Sequence, residues 1–109
     1  MTILVYEKLV RDKIPEIIKA NGQKGFFRIL EDEEYQIKLN EKMKEELIEY
    51  LTSNSEREAV QELADMSEII DAILELKGVS KEKFCAFKQK RKEDRGGFQK
   101  RLLLEKVEK

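Results

Sequence analysis

The stretch DEEYQIKLNEKMKEELIEYLTSNSEREAVQELADMSEIIDAILELK, residues 32–77, decides the fold. From Asp32 to about Leu51 the apolar residues Tyr35, Leu39, Met43, Leu47, Tyr50 and Leu51 recur every three or four positions, which predicts an amphipathic helix. Thr52 to Ser55 is a polar break. Ser55 is suited to cap a second helix, with Glu58 at the capping-box position. That helix, about Glu56 to Lys77, carries Ala59, Val60, Leu63, Met66, Ile70, Ile73 and Leu74 on one side and Ile69, Ala72 and Leu76 on the adjoining side. Its apolar arc covers well over half the circumference, which marks it as central.

Both helices place acids where apolar residues belong. Glu46 falls inside the first stripe, between Met43 and Tyr50, with Glu49 on its flank; Glu62 and Asp65 lie among Ile69, Ala72, Ile73 and Leu76. Each pair is an acid-x-x-acid step whose carboxylates project roughly 60° apart on one helix face. The chain holds 23 acidic residues, so such steps also arise by chance, and Glu68-Ile69-Ile70-Asp71 is another. That pair, however, shares the polar arc with Gln61 and Glu75. If the two helices pack face to face, Glu46, Glu49, Glu62 and Asp65 converge, and four anions near a core need a neutralising cation. Oxygen donors without His or Cys suit a hard ion, Mg²⁺ or alternatively Mn²⁺.

Outward from this centre the signals are shorter. Leu9 to Asn21 reads as a short helix capped by Asp12, with Pro15 early, Ile14, Ile17 and Ile18 as its stripe, and Asn21-Gly22 as its stop. Ser80 caps a further helix running to about Arg95, before Gly96-Gly97. Phe26 to Leu30 and Phe98 to Val107 are extended in composition and are expected to pair as a minor two-stranded element. Two helices alone leave the wide arc of 56–77 partly uncovered, so a four-helix core completed by self-association is expected, as a homodimer or a dimer of dimers.

Composition bounds the function. At 109 residues, with 41% charged and 7% aromatic residues, the chain fits one mainly α-helical domain spanning 1–109. A net charge of −1 argues against a nucleic-acid binder. No segment has the length of a membrane span, and Met1 to Tyr6 lacks the regions of a signal peptide, so a cytoplasmic location is expected. The lone cysteine, Cys85, is expected to be a small buried hydrophobe, and with no His there is no zinc quartet or Cys/His nucleophile pair. Lys8, Arg11 and Lys13 near one end and Lys88, Arg91, Lys92 and Arg95 near the other form two basic clusters suited to phosphate. The P-loop pattern is missing.

Glu45-Glu46-Leu47-Ile48-Glu49, a spacer of twelve residues, and Glu62-Leu63-Ala64-Asp65 together resemble the EExxE, spacer, ExxD signature of the all-α nucleoside triphosphate pyrophosphohydrolases, the MazG-like superfamily. Tyr6-Glu7-Lys8-Leu9-Val10-Arg11-Asp12-Lys13-Ile14-Pro15-Glu16-Ile17-Ile18 and Arg95-Gly96-Gly97-Phe98 look like the start and end of its phosphoribosyl-ATP pyrophosphohydrolase-like branch. The resemblance implies a MazG-like helical bundle with sites near subunit contacts. It also implies a Mg²⁺-dependent hydrolase that cleaves a nucleotide substrate between its α- and β-phosphates, giving a monophosphate and pyrophosphate. Glu46, Glu49, Glu62 and Asp65 would then hold the metal and serve catalysis, and Lys8, Arg11, Lys13, Lys88, Arg91 and Arg95 would bind the substrate. The alternatives are phosphoribosyl-ATP hydrolysis in histidine synthesis and a non-catalytic helical interaction module.

Overall fold

The computed structural model describes residues 2–109 and is all-helical among them: α1 (Ile14–Ala20), α2 (Asp32–Leu51), α3 (Glu56–Leu76) and α4 (Lys81–Arg95). The chain divides into two compact units, one ending at Lys77 and the other running from Gly78 to Lys109. No helix of the described residues is long and apolar enough to cross a membrane.

The first unit is built on the pairing of α2 with α3. Local chemistry sets the turn between them. Ser55 Oγ accepts the Glu58 amide at 3.1 Å, as the capping spacing requires, while the Glu58 carboxylate accepts the Asn54 amide at 2.9 Å, one residue before the cap. Thr52 and Ser53 hydroxyls donate to the carbonyls of Ile48 and Tyr50 and so close the end of α2. α3 turns toward α2 the side that carries the acids: Glu62, Asp65, Met66, Ala72, Ile73 and Leu76 are half-buried there and Ile69 is 8% exposed. From α2, Tyr35 and Met43 are half-buried, Leu39 is 3% exposed and Glu46 7%. Of the other expected side of α3, Val60, Leu63 and Ile70 are exposed while Ala59 and Leu74 are half-buried; Leu47, Ile48 and Leu51 of α2 are exposed too. Fully burying Leu39 and Ile69 contributes only about 1.5–3 kcal/mol each, little for a helical pair that must stand alone.

α1 is shorter than its sequence pattern. It begins at Ile14 with Lys13 as N-cap, and Asp12 makes no cap. Pro15 explains this, because in a longer helix its ring would strike the carbonyl of Arg11. The carbonyl of Arg11 instead accepts the Ile14 amide at 3.0 Å, closing a turn, and residues before it run outside any helix. At the other end Gln23 N–H reaches Ile18 O at 3.1 Å and Gly22 N–H reaches Lys19 O at 3.0 Å, a Schellman closure that places Gly22 at φ +76°. Arg28 then grips Glu34 in the first turn of α2 through two bonds of 2.7 and 2.8 Å, which hold the Glu34 carboxyl below its usual range.

The expected two-stranded element does not form: no strand occurs among the described residues. Phe26 and Ile29 of the first segment and Phe98 and Leu102 of the second are largely exposed. A lone ribbon is marginal in water, and the second segment is interrupted where Arg101, at φ +57°, bonds back to Phe98 O at 3.1 Å.

In the second unit Ser80 Oγ caps α4 by accepting the Lys83 amide at 3.1 Å. Gly96 ends it at φ +81°, ψ −179°, a conformation open essentially to glycine alone. Cys85 is exposed, against expectation. It lies on one flank with Lys88, Gln89 and Lys92, a polar face that offers no core.

Candidate metal centre

α2 and α3 bring the two acid steps together. One carboxylate oxygen each from Glu46, Glu62 and Asp65 lies within 4.8 Å of the others, and Glu45, Glu46 and Glu49 form an overlapping group of the same span. Glu46 is the shared member and the most buried. Its neighbours grade outward: Glu45, Glu62 and Asp65 are half-buried and Glu49 is exposed. Glu45 had no role assigned from sequence. Its place beside Glu46 in the motif was visible, but its position off the apolar stripe concealed that it reaches the cluster.

The electrostatics of the pair are unusual for carboxylates. Glu46 is pushed up to about 8, by burial first, then by the adjoining carboxyls of Glu62 and Glu49 and the charge of Asp65. Oε2 of Glu46 and Oε2 of Glu62 are both buried without a hydrogen-bond donor. Buried oxygens in native proteins are rarely left so. A hard cation fits them: the donors are all carboxylate oxygens, and the orphaned atoms come from opposite helices. The residues that could hold it are Glu46, Glu49, Glu62 and Asp65, with Glu45 at the edge.

The cations expected at phosphate are distributed unevenly. Lys8 Nζ lies 3.4 Å from Glu45 Oε1, and Lys42 Nζ 3.5 Å from Glu45 Oε2. Arg11 lies 3.5 Å from Asp65 Oδ1 and 3.8 Å from Glu68 Oε2. The segment that carries them is fastened to α2 by Lys38, whose Nζ donates to Glu7 O at 3.1 Å; Glu7 itself sits at φ +53°, a left-handed turn uncommon for a residue with a side chain. Lys8 and Arg11 thus border the acid cluster. Lys13 is spent at the start of α1, exposed and without an ion pair among the described residues.

Lys88, Arg91 and Arg95 belong to the second unit. With Lys92 they line an open groove of about 540 Å³ beside Phe84, Phe87 and Phe98. The acids of α4 turn elsewhere: Asp94 pairs with Lys90 at 3.2 Å and Glu93 accepts from Gln89 at 3.3 Å. The groove is therefore lined by cationic and aromatic side chains, a surface suited to an anion.

No protein-family model matches the chain, and no solved structure does. A protein of Mycolicibacterium smegmatis, itself described as uncharacterized, is 39% identical over 54 residues, which are 50% of this chain and 55% of that protein. The chain thus spans about half the length of this curated relative.

Proposed function

We propose that this chain is a Mg²⁺-dependent nucleotide pyrophosphohydrolase of the MazG-like kind, cleaving a nucleoside triphosphate between its α- and β-phosphates. The observation that carries the reading is the pair of donorless, buried carboxylate oxygens on Glu46 and Glu62, one from each acid step. Bringing these two carboxyls together out of water costs stability, a cost that a bound cation would offset. Mn²⁺ is the alternative ion.

The bound ion would supply charge neutralisation at the phosphate oxygens and a more acidic attacking water. Everything else falls to the chain. Glu46, Glu62 and Asp65 would hold the ion from both helices, and Glu46 would give up its proton on doing so. Glu49 is the exposed member, and its access to solvent supports assigning it the proton of the attacking water. Lys8 and Arg11 supply positive charge on the open side for the phosphates of the substrate. No protein nucleophile is needed.

The exposed Leu47, Ile48 and Leu51 of α2 and Val60, Leu63 and Ile70 of α3 support a second proposal, that a second copy covers this face and completes a four-helix core. The same apolar face is what a non-catalytic interaction module would display, so the reaction products decide between them. Phosphorus NMR across canonical and modified nucleoside triphosphates and phosphoribosyl-ATP, with Mg²⁺, is expected to show a monophosphate and pyrophosphate from at least one. Release of inorganic phosphate and a diphosphate, or no product, overturns the assignment. Turnover of phosphoribosyl-ATP alone assigns the histidine pathway.

A further inference from the structure

We infer that Arg11 is a displaceable counter-ion of the carboxylate cluster: it leaves Asp65 when a divalent cation is taken up, and its freed guanidinium then pairs with the phosphate that accompanies the cation. This rests on the metal reading of Glu46, Glu49, Glu62 and Asp65.

Two arginines of the first unit show the difference between a fixed pair and a poised one. Arg28 meets Glu34 through two bonds of 2.7 and 2.8 Å, the fork-on-carboxylate geometry of a staple. Arg11 is divided between Asp65 at 3.5 Å and Glu68 at 3.8 Å, too long for a tight charge-assisted bond to either, and its side chain is 62% exposed. Its backbone, by contrast, is tied. The Arg11 carbonyl accepts from Ile14 N–H at 3.0 Å, and Glu7, a few residues earlier, is held by Lys38. The side chain can swing while its origin stays at the rim of the cluster.

Of the cluster's acids Arg11 touches only Asp65. Among the described residues Glu46, Glu49 and Glu62 have no cation within ion-pair distance, whereas Asp65 has Arg11. A divalent ion held by Asp65 together with Glu46 and Glu62 lies close to the guanidinium, and the two positive charges repel. Arg11 therefore competes with a bare cation for Asp65. When the cation arrives bound to phosphate, the same residue gains a new anionic partner as it loses the old one. The site so built discriminates against free metal and favours a metal–polyphosphate complex.

The test is Mn²⁺ binding followed by electron paramagnetic resonance, on the wild-type chain, Arg11→Gln, Arg11→Lys and Arg28→Gln. With Mn²⁺ alone, Arg11→Gln is expected to bind about two- to fivefold more tightly than wild type, the scale of a lost exposed ion pair. Arg11→Lys keeps the charge and stays near wild type, and added salt shrinks the difference. With inorganic pyrophosphate present the order reverses, Arg11→Gln holding the Mn²⁺–pyrophosphate pair more weakly than wild type. If wild type binds Mn²⁺ and Arg11→Gln binds it equally or less well, the exchange is wrong and the carboxylate site stands. An equal gain in Arg28→Gln reduces the effect to net charge and also overturns it, as does pyrophosphate binding that ignores Arg11. If wild type binds no Mn²⁺, the metal reading falls and the inference with it.

Discussion

Glu46 on α2 and Glu62 on α3 each bury one carboxylate oxygen, Oε2, that has no hydrogen-bond donor. Helix pairing alone gives no reason to bring two acids to that contact, since apolar residues at the same positions would pack there without the desolvation penalty.

The first consequence is a stability that falls with rising pH when metal is removed. Glu46 is pushed from 4.5 to about 8 in the folded chain, so between those values the native state keeps a proton that the unfolded chain releases. The contribution of Glu46 to stability is then fully present below about 4.5, declines as pH rises toward 8, and is lost above. In EDTA, Glu46→Gln is expected to melt higher than wild type by a margin that widens from pH 5 to pH 8. A margin that is constant or narrows would place the buried charge elsewhere.

Metal uptake should carry a proton with it. Binding needs the ionised carboxylate, and Glu46, at about 8, is largely protonated at neutral pH. Close to one proton is expected to leave per site at pH 7, and affinity should rise with pH until about 8. Calorimetry in buffers of different ionisation enthalpy reads the proton count directly. Binding without proton release would contradict the burial of Glu46.

One of the bonds that set the turn between the acid-bearing helices comes from the Ser55 hydroxyl. Ser55→Ala removes the bond to the Glu58 amide and is expected to cost about 1 kcal/mol of stability. Since Ser55 lies outside the carboxylate group, Mn²⁺ affinity should be retained once the protein is folded. A denaturant titration paired with Mn²⁺ binding separates the two effects.

A charge on the open apolar face should dissociate the assembly. Leu51 is 69% and Val60 61% exposed, so Leu51→Glu and Val60→Glu add no buried charge within one chain. In sedimentation equilibrium wild type is expected at twice the chain mass or more, and both variants are expected to shift toward a single chain. A monomeric wild type at micromolar concentration would remove the four-helix proposal.

Periodicity over residues 32–77 carried the long helices because their stripes, caps and breaks are local. The bounds of α2 at Asp32 and Leu51 agree with it, and so does the inward facing of Glu46. The inward facing of Glu62 and Asp65 on α3 follows from their place among Ile69, Ala72, Ile73 and Leu76, and both are half-buried; that Val60, Leu63 and Ile70 stay exposed is set by packing, which an arc of apolar residues does not encode. Leu9 to Asp12 read as helix from its ends inward, yet Pro15 denies it that conformation and leaves Arg11 free to reach Asp65. Phe26 to Leu30 and Phe98 to Val107 have strand composition but no ladder, because pairing is a tertiary property that composition does not encode. Glu45 lies off the apolar stripe, so the helical wheel gives no sign that its carboxylate joins the cluster.

The most direct measurement of the central claim is pyrophosphate release with Mg²⁺ by wild type, Glu62→Gln, Asp65→Asn and Glu68→Gln, each checked for retained helix by circular dichroism. Glu68 has the same acid-x-x-acid form as the site but points to solvent, its side chain 65% exposed. Expected are activity in wild type that EDTA abolishes, a loss of about a hundredfold or more in Glu62→Gln and Asp65→Asn, the scale of a removed metal ligand or its electrostatic work, and near-wild-type activity in Glu68→Gln. Full activity in folded Glu62→Gln or Asp65→Asn, or release that survives EDTA, would contradict the account.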